Sequence, residues 1–338
     1  MRSHDSGFTL GEVVVSLALT LVVMAAAFAG FNSAMRLADT ARIVSENNQG
    51  LQVSMSLIVR DMIQAGQGIP LGGIPIPSGA GANLVNRPGP PAAGLTFDPA
   101  WTALPAVSPG GSLGPVVLGV PTDIVTLLYA DRTLFLNEFP LTTVAADGSS
   151  MTVNAATSIA GADGIKVGDL IMLTNAQGNA LQVVTGTDGA QTVFFASGDA
   201  FTLNDRTAAQ GTILNLQSSP GVYPPTTATR ITMVSYYLDT VTDPEVPRLI
   251  RQVNQNAPLA IGLGAENLQF TYDLVDGTTN PSNVEMPPVG FSPNQIRKAN
   301  LYLASRSLEV SPNTQNFVRN SLATDVGFRS LSFVDRYR

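Results

Sequence analysis

The chain has 338 residues, 44% of them hydrophobic and only 13% charged, which excludes a highly charged disordered polymer and provides material for a sizeable core. Its formal charge of −7, from 18 Lys plus Arg against 25 Asp plus Glu, opposes the phosphate neutralisation on which nucleic-acid affinity rests, so no nucleic-acid partner is expected. There is no cysteine, so disulfides and thiolate nucleophiles are excluded; His4 is the single histidine and Lys166 and Lys298 are the two lysines, so removal of the extreme N-terminus would leave no histidine for catalysis at neutral pH.

The first element is a 24-residue apolar run from Phe8 to Phe31, long enough at about 1.5 Å per residue to cross a hydrocarbon core of roughly 30 Å. It reads as a transmembrane helix contacting lipid. The polar leader before it, Met1 to Gly7, carries Arg2, His4 and Asp5 and ends ahead of the apolar run. A secretory signal has its small-residue cleavage site after the apolar stretch. The order here favours a cut that leaves the helix on the mature protein. One charged side chain, Glu12, lies inside the run. A carboxylate at membrane depth costs about 2.5 to 3.5 kcal/mol on insertion scales and calls for a partner. A cut after Gly7 would supply one, because the new α-amino group of Phe8 is a cation four residues away, on this chain or on a neighbour.

Gly7-Phe8-Thr9-Leu10-Gly11-Glu12 followed by an unbroken apolar helix resembles the class III leader of type IV pilins and type II secretion pseudopilins. The resemblance implies cleavage after Gly7 by prepilin peptidase, N-methylation of Phe8, and use of Glu12 to neutralise the amine of an adjacent subunit. Gly11 departs from the bulkier residue commoner there. The plainer alternative is a signal anchor with an incidental glutamate.

Beyond Phe31 no proline occurs until Pro70, and apolar residues thin to a spaced set including Met35, Ala38, Leu51, Met55, Ile58 and Met62. This predicts one helix over 8–65, with 8–31 transmembrane and the remainder amphipathic, and with Arg36, Arg42, Glu46, Arg60 and Asp61 available for its wet face. Gly30 and Asn47-Asn48-Gln49-Gly50 have low helix propensity and permit a bend or local melting.

From Gly66 to Pro115, 21 of 50 residues are Gly or Pro, which predicts a connecting loop, extended to 66–122, without helix or central strand. Phe97 and Trp101 are its expected anchors. Strand-like runs follow at Asp123–Ala130, Asp169–Thr174, Ala180–Thr185 and Thr192–Phe195, punctuated by turn sequences at Asp147-Gly148, Asp163-Gly164, Asn175–Gly178 and Asp188-Gly189. A second set covers Arg230–Asp239, Arg248–Val253, Asn267–Val275, Ile296–Leu308 and Ser330–Tyr337. The expected fold class is therefore α+β: a long N-terminal helix packed on a mostly antiparallel β domain over 123–338, with a hairpin-rich insertion at about 131–212.

The order of the second strand set, together with Arg60-Asp61-Met62-Ile63-Gln64-Ala65-Gly66 at the helix end, is similar to the PilW-type minor pilins and their J-class secretion relatives. That similarity implies a structural subunit rather than an enzyme, initiating or capping a type IV pilus. Its partners would be prepilin peptidase, other major and minor pilins and the inner-membrane assembly platform. It would span the inner membrane once, N-terminus cytoplasmic and domain periplasmic, and reach the cell surface after assembly. A type II secretion pseudopilin, and an adhesin using the loop and insertion, are the competing readings.

No catalytic, cofactor or metal residues are expected. Asp163, Asp169, Asp188 and Asp205 do not have the spacing of a calcium loop and read as turn formers. Asp273 and Asp276 form at most a weak carboxylate pair for glycoside hydrolysis. Arg248, Arg251, Arg297 and Arg306 alternate with apolar residues and read as the wet face of strands.

Overall fold

The computed structural model of the chain describes residues 9–332, except the side chain of Ser332. The fold is α+β: one long N-terminal helix and a set of antiparallel sheets. Helix α1, Leu10–Gln64, has 55 residues and passes through Gly30 and Asn47–Gly50 without a break. Neighbouring helix formers and the absence of proline outweigh those locally weak positions.

The chain divides into two compact units. One contains the helix up to Gln49 together with Arg306–Asn320, and the other contains Gly50–Ser305 with the chain from Ser321 onward. In the first, Arg42 reaches Glu46 at 3.0 Å and Glu309 at 2.9 Å, and Thr40 and Ser311 share a hydroxyl hydrogen bond of 3.1 Å. Asn47 donates to the Val318 carbonyl, Asn48 meets Asn320, and the Arg306 guanidinium lies 3.9 Å from the Phe317 ring centre. The two Arg42 ion pairs are exposed, the class worth only about 0 to 1 kcal/mol each. Met35 and Ala38, expected in a packed stripe, are exposed.

In the second unit, Leu51, Met55, Ile58 and Met62 recur at helical spacing and are buried in the main core with Tyr236, Leu249, Phe270 and Leu301. Burying each such side chain contributes about 1.5 to 3 kcal/mol.

The main strands are β1 (Val107–Ser108), β2 (Val125–Ala130), β3 (Leu170–Asn175), β4 (Gly178–Val183), β5 (Thr227–Asp239), β6 (Arg248–Val253), β7 (Leu259–Leu263), β8 (Ala265–Leu274), β9 (Ile296–Val310) and β10 (Phe317–Gly327), of which the stretches 306–310 and 317–320 belong to the first unit. The first seven form one antiparallel sheet around β5, which pairs with β2, β3 and β6. Near the end of β5, Tyr236 stands opposite Val125 on one side and Arg251 on the other. The last three strands form a second sheet in the order β8-β9-β10. Strands β3 and β4, from segment 131–212, are members of the seven-stranded sheet, and the smaller sheet formed by 143–144, 150–152, 186–187 and 192–194 is drawn wholly from that segment.

Several expectations are corrected. Segment 66–115 has no helix or central strand, yet it is more than a bare connecting loop: two-residue β1 pairs with β2 at the edge of the seven-stranded sheet, and Ile74–Pro75 pairs with Ala103–Leu104. Glycines and prolines occupy its turns while Ile74, Ile76, Val85, Phe97 and Leu104 between them are buried, with Trp101 packed alongside. The Arg87 side chain makes this possible, donating Nη1 to the Pro109 carbonyl at 2.6 Å and Nη2 to the carbonyls of Ser108 and Ile124 at 2.7 and 3.1 Å. These bonds satisfy backbone groups that a buried loop would otherwise leave unpaired. Burial depresses the Arg87 pKa to about 10.

Strand β7 was missed because its Leu-Ala-Ile-Gly-Leu sequence contains glycine. Gly262 is there because the helix approaches closely: a Cβ would lie 2.6 Å from Ser54 Oγ, which itself donates to the Ile261 carbonyl at 3.0 Å. Strand β10 has no clear signal of its own, because the inward series Val318, Asn320, Leu322, Thr324, Val326 is broken by polar residues even though Leu322 and Val326 pack on the core. The expected strand Ser330–Tyr337 begins instead as a short helix, Arg329–Ser332, whose Leu331 packs over Gly66, and its remainder lies outside the described residues. Asp163-Gly164 is not a hairpin turn: the Gly164 amide donates to the Gly161 carbonyl, and both the Asp163 and Gly164 carbonyls accept from Arg230.

Asp61 is not on a wet face. It is 1% exposed, accepting from Arg251 Nε at 2.7 Å and from the Tyr236 hydroxyl at 2.6 Å. Arg251 is correspondingly not a solvated strand residue. Burial disfavours its charge, but the Asp61 carboxylate more than offsets this and raises its pKa. Burial first, then the Asp61 charge, pushes the Tyr129 hydroxyl up to about 12.

Candidate assembly site

The helix start is built by a short pattern that the sequence reading did not use. Thr9-Leu10-Gly11-Glu12 is a capping box: the Thr9 backbone amide and hydroxyl donate to Glu12 Oε2 at 3.0 and 3.1 Å, and the Glu12 amide lies 3.4 Å from Thr9 Oγ1. Ser or Thr followed three residues later by Glu, ahead of an apolar run, is the sequence signal for it. These bonds draw the Glu12 carboxylate back to the first turn at the exposed helix surface. Gly11 has no atom within 4 Å of where a Cβ would stand, so beside the carboxylate the helix has a notch bordered by Val15, Ser16 and Leu19.

Beyond this turn the surface is apolar. Leu10 is 86% exposed, and Val14, Leu17, Leu21, Phe28 and Phe31 are likewise exposed. Ser16 and Thr20 return their hydroxyls to the carbonyls of Val13 and Ser16 at 2.9 and 2.8 Å, so they add little polarity outward. The helix is long and apolar enough to cross a membrane: its best 18-residue window has a mean hydropathy of 2.5 and none of it is buried by the rest of the chain. An apolar surface of this extent, on an otherwise well-packed protein, requires lipid or protein cover.

Of the expected site residues, Gly7 and Phe8 lie outside the described residues, and Glu12 is at the helix start with its carboxylate accessible. The weighed acidic residues serve local structure. Asp188 Oδ1 accepts from the amides of Ala190, Gln191 and Thr192, and those bonds hold its pKa at about 2. Asp205 accepts from Asn83 and Thr207, and Asp169 accepts from the Lys166 amide and lies 3.7 Å from Arg230. Asp273 and Asp276 do not form a pair. Asp273 accepts from the Asn283 amide at 2.9 Å, whereas Asp276 caps the turn at Thr278–Asn280. Among the described residues no group of three or more His, Asp or Glu is placed to hold a metal ion.

No family model matches the chain, and no curated protein matches it. Among solved structures, the chain is similar to a type IV-like pilin from Thermus thermophilus at 12% identity, covering 49% of this chain and 87% of that one, with a TM-score of 0.19. A likeness that distant adds nothing to the geometry above.

Proposed function

We propose that the chain is a pilin-like structural subunit, processed after Gly7 by prepilin peptidase, methylated on Phe8 and assembled through its N-terminal helix as a minor pilin that initiates or caps a type IV pilus. The observation that carries this reading is the capped Glu12 carboxylate, exposed at the start of a bare apolar helix directly after Gly7-Phe8. Before assembly the helix spans the inner membrane, its cytoplasmic start marked by Arg2 and its β domain periplasmic. In the fibre the apolar surface is covered by neighbouring helices, and Glu12 meets the Phe8 amine of an adjacent subunit, which fixes axial register. The role is structural rather than catalytic. A secretion pseudopilin would use the same helix chemistry, and co-purifying subunits separate the two.

The test is a pair of substitutions at one position. Glu12→Ala removes both cap and charge and is expected to impair assembly more than cleavage. Glu12→Gln keeps a carbonyl oxygen for Thr9 but loses the charge. Failure of Glu12→Gln to assemble supports pairing with an amine, and assembly equal to the parent reduces Glu12 to a helix cap.

A further inference from the structure

We propose that the solvent face of the β8-β9-β10 sheet is a binding site for a neutral saccharide. Strand alternation creates two unlike faces here. Leu268, Phe270, Tyr272, Leu301 and Leu303 point into the core, and the register then sets Gln269 opposite Tyr302, Thr271 opposite Asn300 and Asp273 opposite Lys298 on the outer face. A groove of about 410 Å³ opens there, within the size range of ligand sites, bordered also by Asn283, Ala323 and Asp325.

Its polar groups are held before any ligand arrives. Asn300 Nδ2 donates to Asn283 Oδ1 at 2.9 Å and to Thr271 Oγ1 at 3.3 Å. Gln269 Nε2 is taken by the Pro121 carbonyl at 2.7 Å and Asn267 Oδ1 at 2.9 Å, which leaves Gln269 Oε1 as an acceptor of known direction. Tyr302, 39% exposed, offers a ring face and a hydroxyl beside them. Ala323 leaves the space that a longer side chain on β10 would fill.

The same geometry disfavours other ligands. Lys298, outside the groove lining but 3.3 Å from the lining residue Asp325 and 3.7 Å from Asp273, is already paired, so an anion finds that counter-charge occupied. The lining is too polar for a lipid chain, and it lies on the face of a sheet rather than along an edge, so strand addition by a peptide is not offered. Fixed amide and carboxylate groups beside an aromatic ring match a ligand dense in uncharged hydroxyls.

The experiment titrates the full chain, in a detergent without a sugar headgroup, with maltotetraose, chitotetraose and a sulfated disaccharide up to about 10 mM, the range of weak single-site binding. Binding is read by saturation-transfer NMR, with Trp101 fluorescence reporting that each variant is folded. The expected result is binding of at least one neutral tetrasaccharide, weakened about tenfold or more by Tyr302→Ala and by Ala323→Arg and unchanged by Val289→Ser at an exposed position outside the groove lining. Absence of neutral binding, binding of the sulfated sugar alone, or binding that survives both groove substitutions would overturn the proposal. None of these readouts requires assembly, so the outcome is independent of the pilin reading.

Discussion

Arg251 on β6 donates its Nε to a carboxylate oxygen of Asp61 on α1 at 2.7 Å, with the Asp61 side chain 1% exposed and the Tyr236 hydroxyl completing the site from β5. Helix and sheet are thus joined by a buried charge pair inside an otherwise apolar contact. Removing one partner of such a pair strands the other charge in the interior, at a cost of about 3 to 5 kcal/mol. Asp61→Ala is therefore expected to lower the denaturant midpoint followed by Trp101 fluorescence. The double variant Asp61→Leu with Arg251→Leu is expected to lose less than Asp61→Ala alone, because no charge remains unpaired. A double variant as unstable as the sum of the two single ones would show that the pair acts independently.

The Gly/Pro-rich segment depends on Arg87. Arg87→Met keeps the aliphatic stem but removes the donors that serve the carbonyls of Ser108, Pro109 and Ile124. Each buried polar group left without a partner costs about 1 to 3 kcal/mol. The variant is expected to be cut by protease within 66–122 at least several times faster than the parent, while the helix and the β5-centred sheet stay resistant. Unchanged cleavage would mean that apolar packing alone holds the segment.

Asp239 provides an acid-sensitive element. Burial opposes its charge, but hydrogen bonds from Thr242, Val241 and Arg248 more than compensate and hold its pKa at about 2, below the ordinary 3.8. Because the folded value is depressed, the stabilisation is present above pH 3.8 and is lost as pH falls toward 2. The contribution is on the order of 2 kcal/mol. Asp239→Asn is expected to flatten the loss of stability between pH 4 and pH 2 relative to the parent. A variant with the same pH slope would assign that loss to other carboxylates.

The helix and the strand set were legible because their signals are local: an uninterrupted apolar run, and short β-branched stretches separated by Asp-Gly and Asn-rich turns. What escaped depends on distant partners. Asp61 reads as one more charged residue on an amphipathic helix until Arg251 and Tyr236 are brought to it from 190 and 175 residues away. Arg87 reads as an isolated loop cation until the carbonyls it serves fold around it. Strand β7 has no alternation, and the inward series of β10 is interrupted by Asn320 and Thr324, so both are specified by their neighbours. At the helix start the cap is written in adjacent residues, Thr9 three positions ahead of Glu12, but a lone carboxylate in an apolar run points equally to charge pairing, and only the folded turn shows the Thr9 hydroxyl bonded to it.

The assembly reading stands or falls on what happens to the leader. Intact-mass measurement of the protein extracted from membranes is expected to give a chain that begins at Phe8 and carries one added methyl group, with Glu12 and the whole apolar helix retained. A mass that retains Gly7 and the residues before it, or one that has lost the apolar segment, would contradict the proposal that this helix is matured for packing into a fibre.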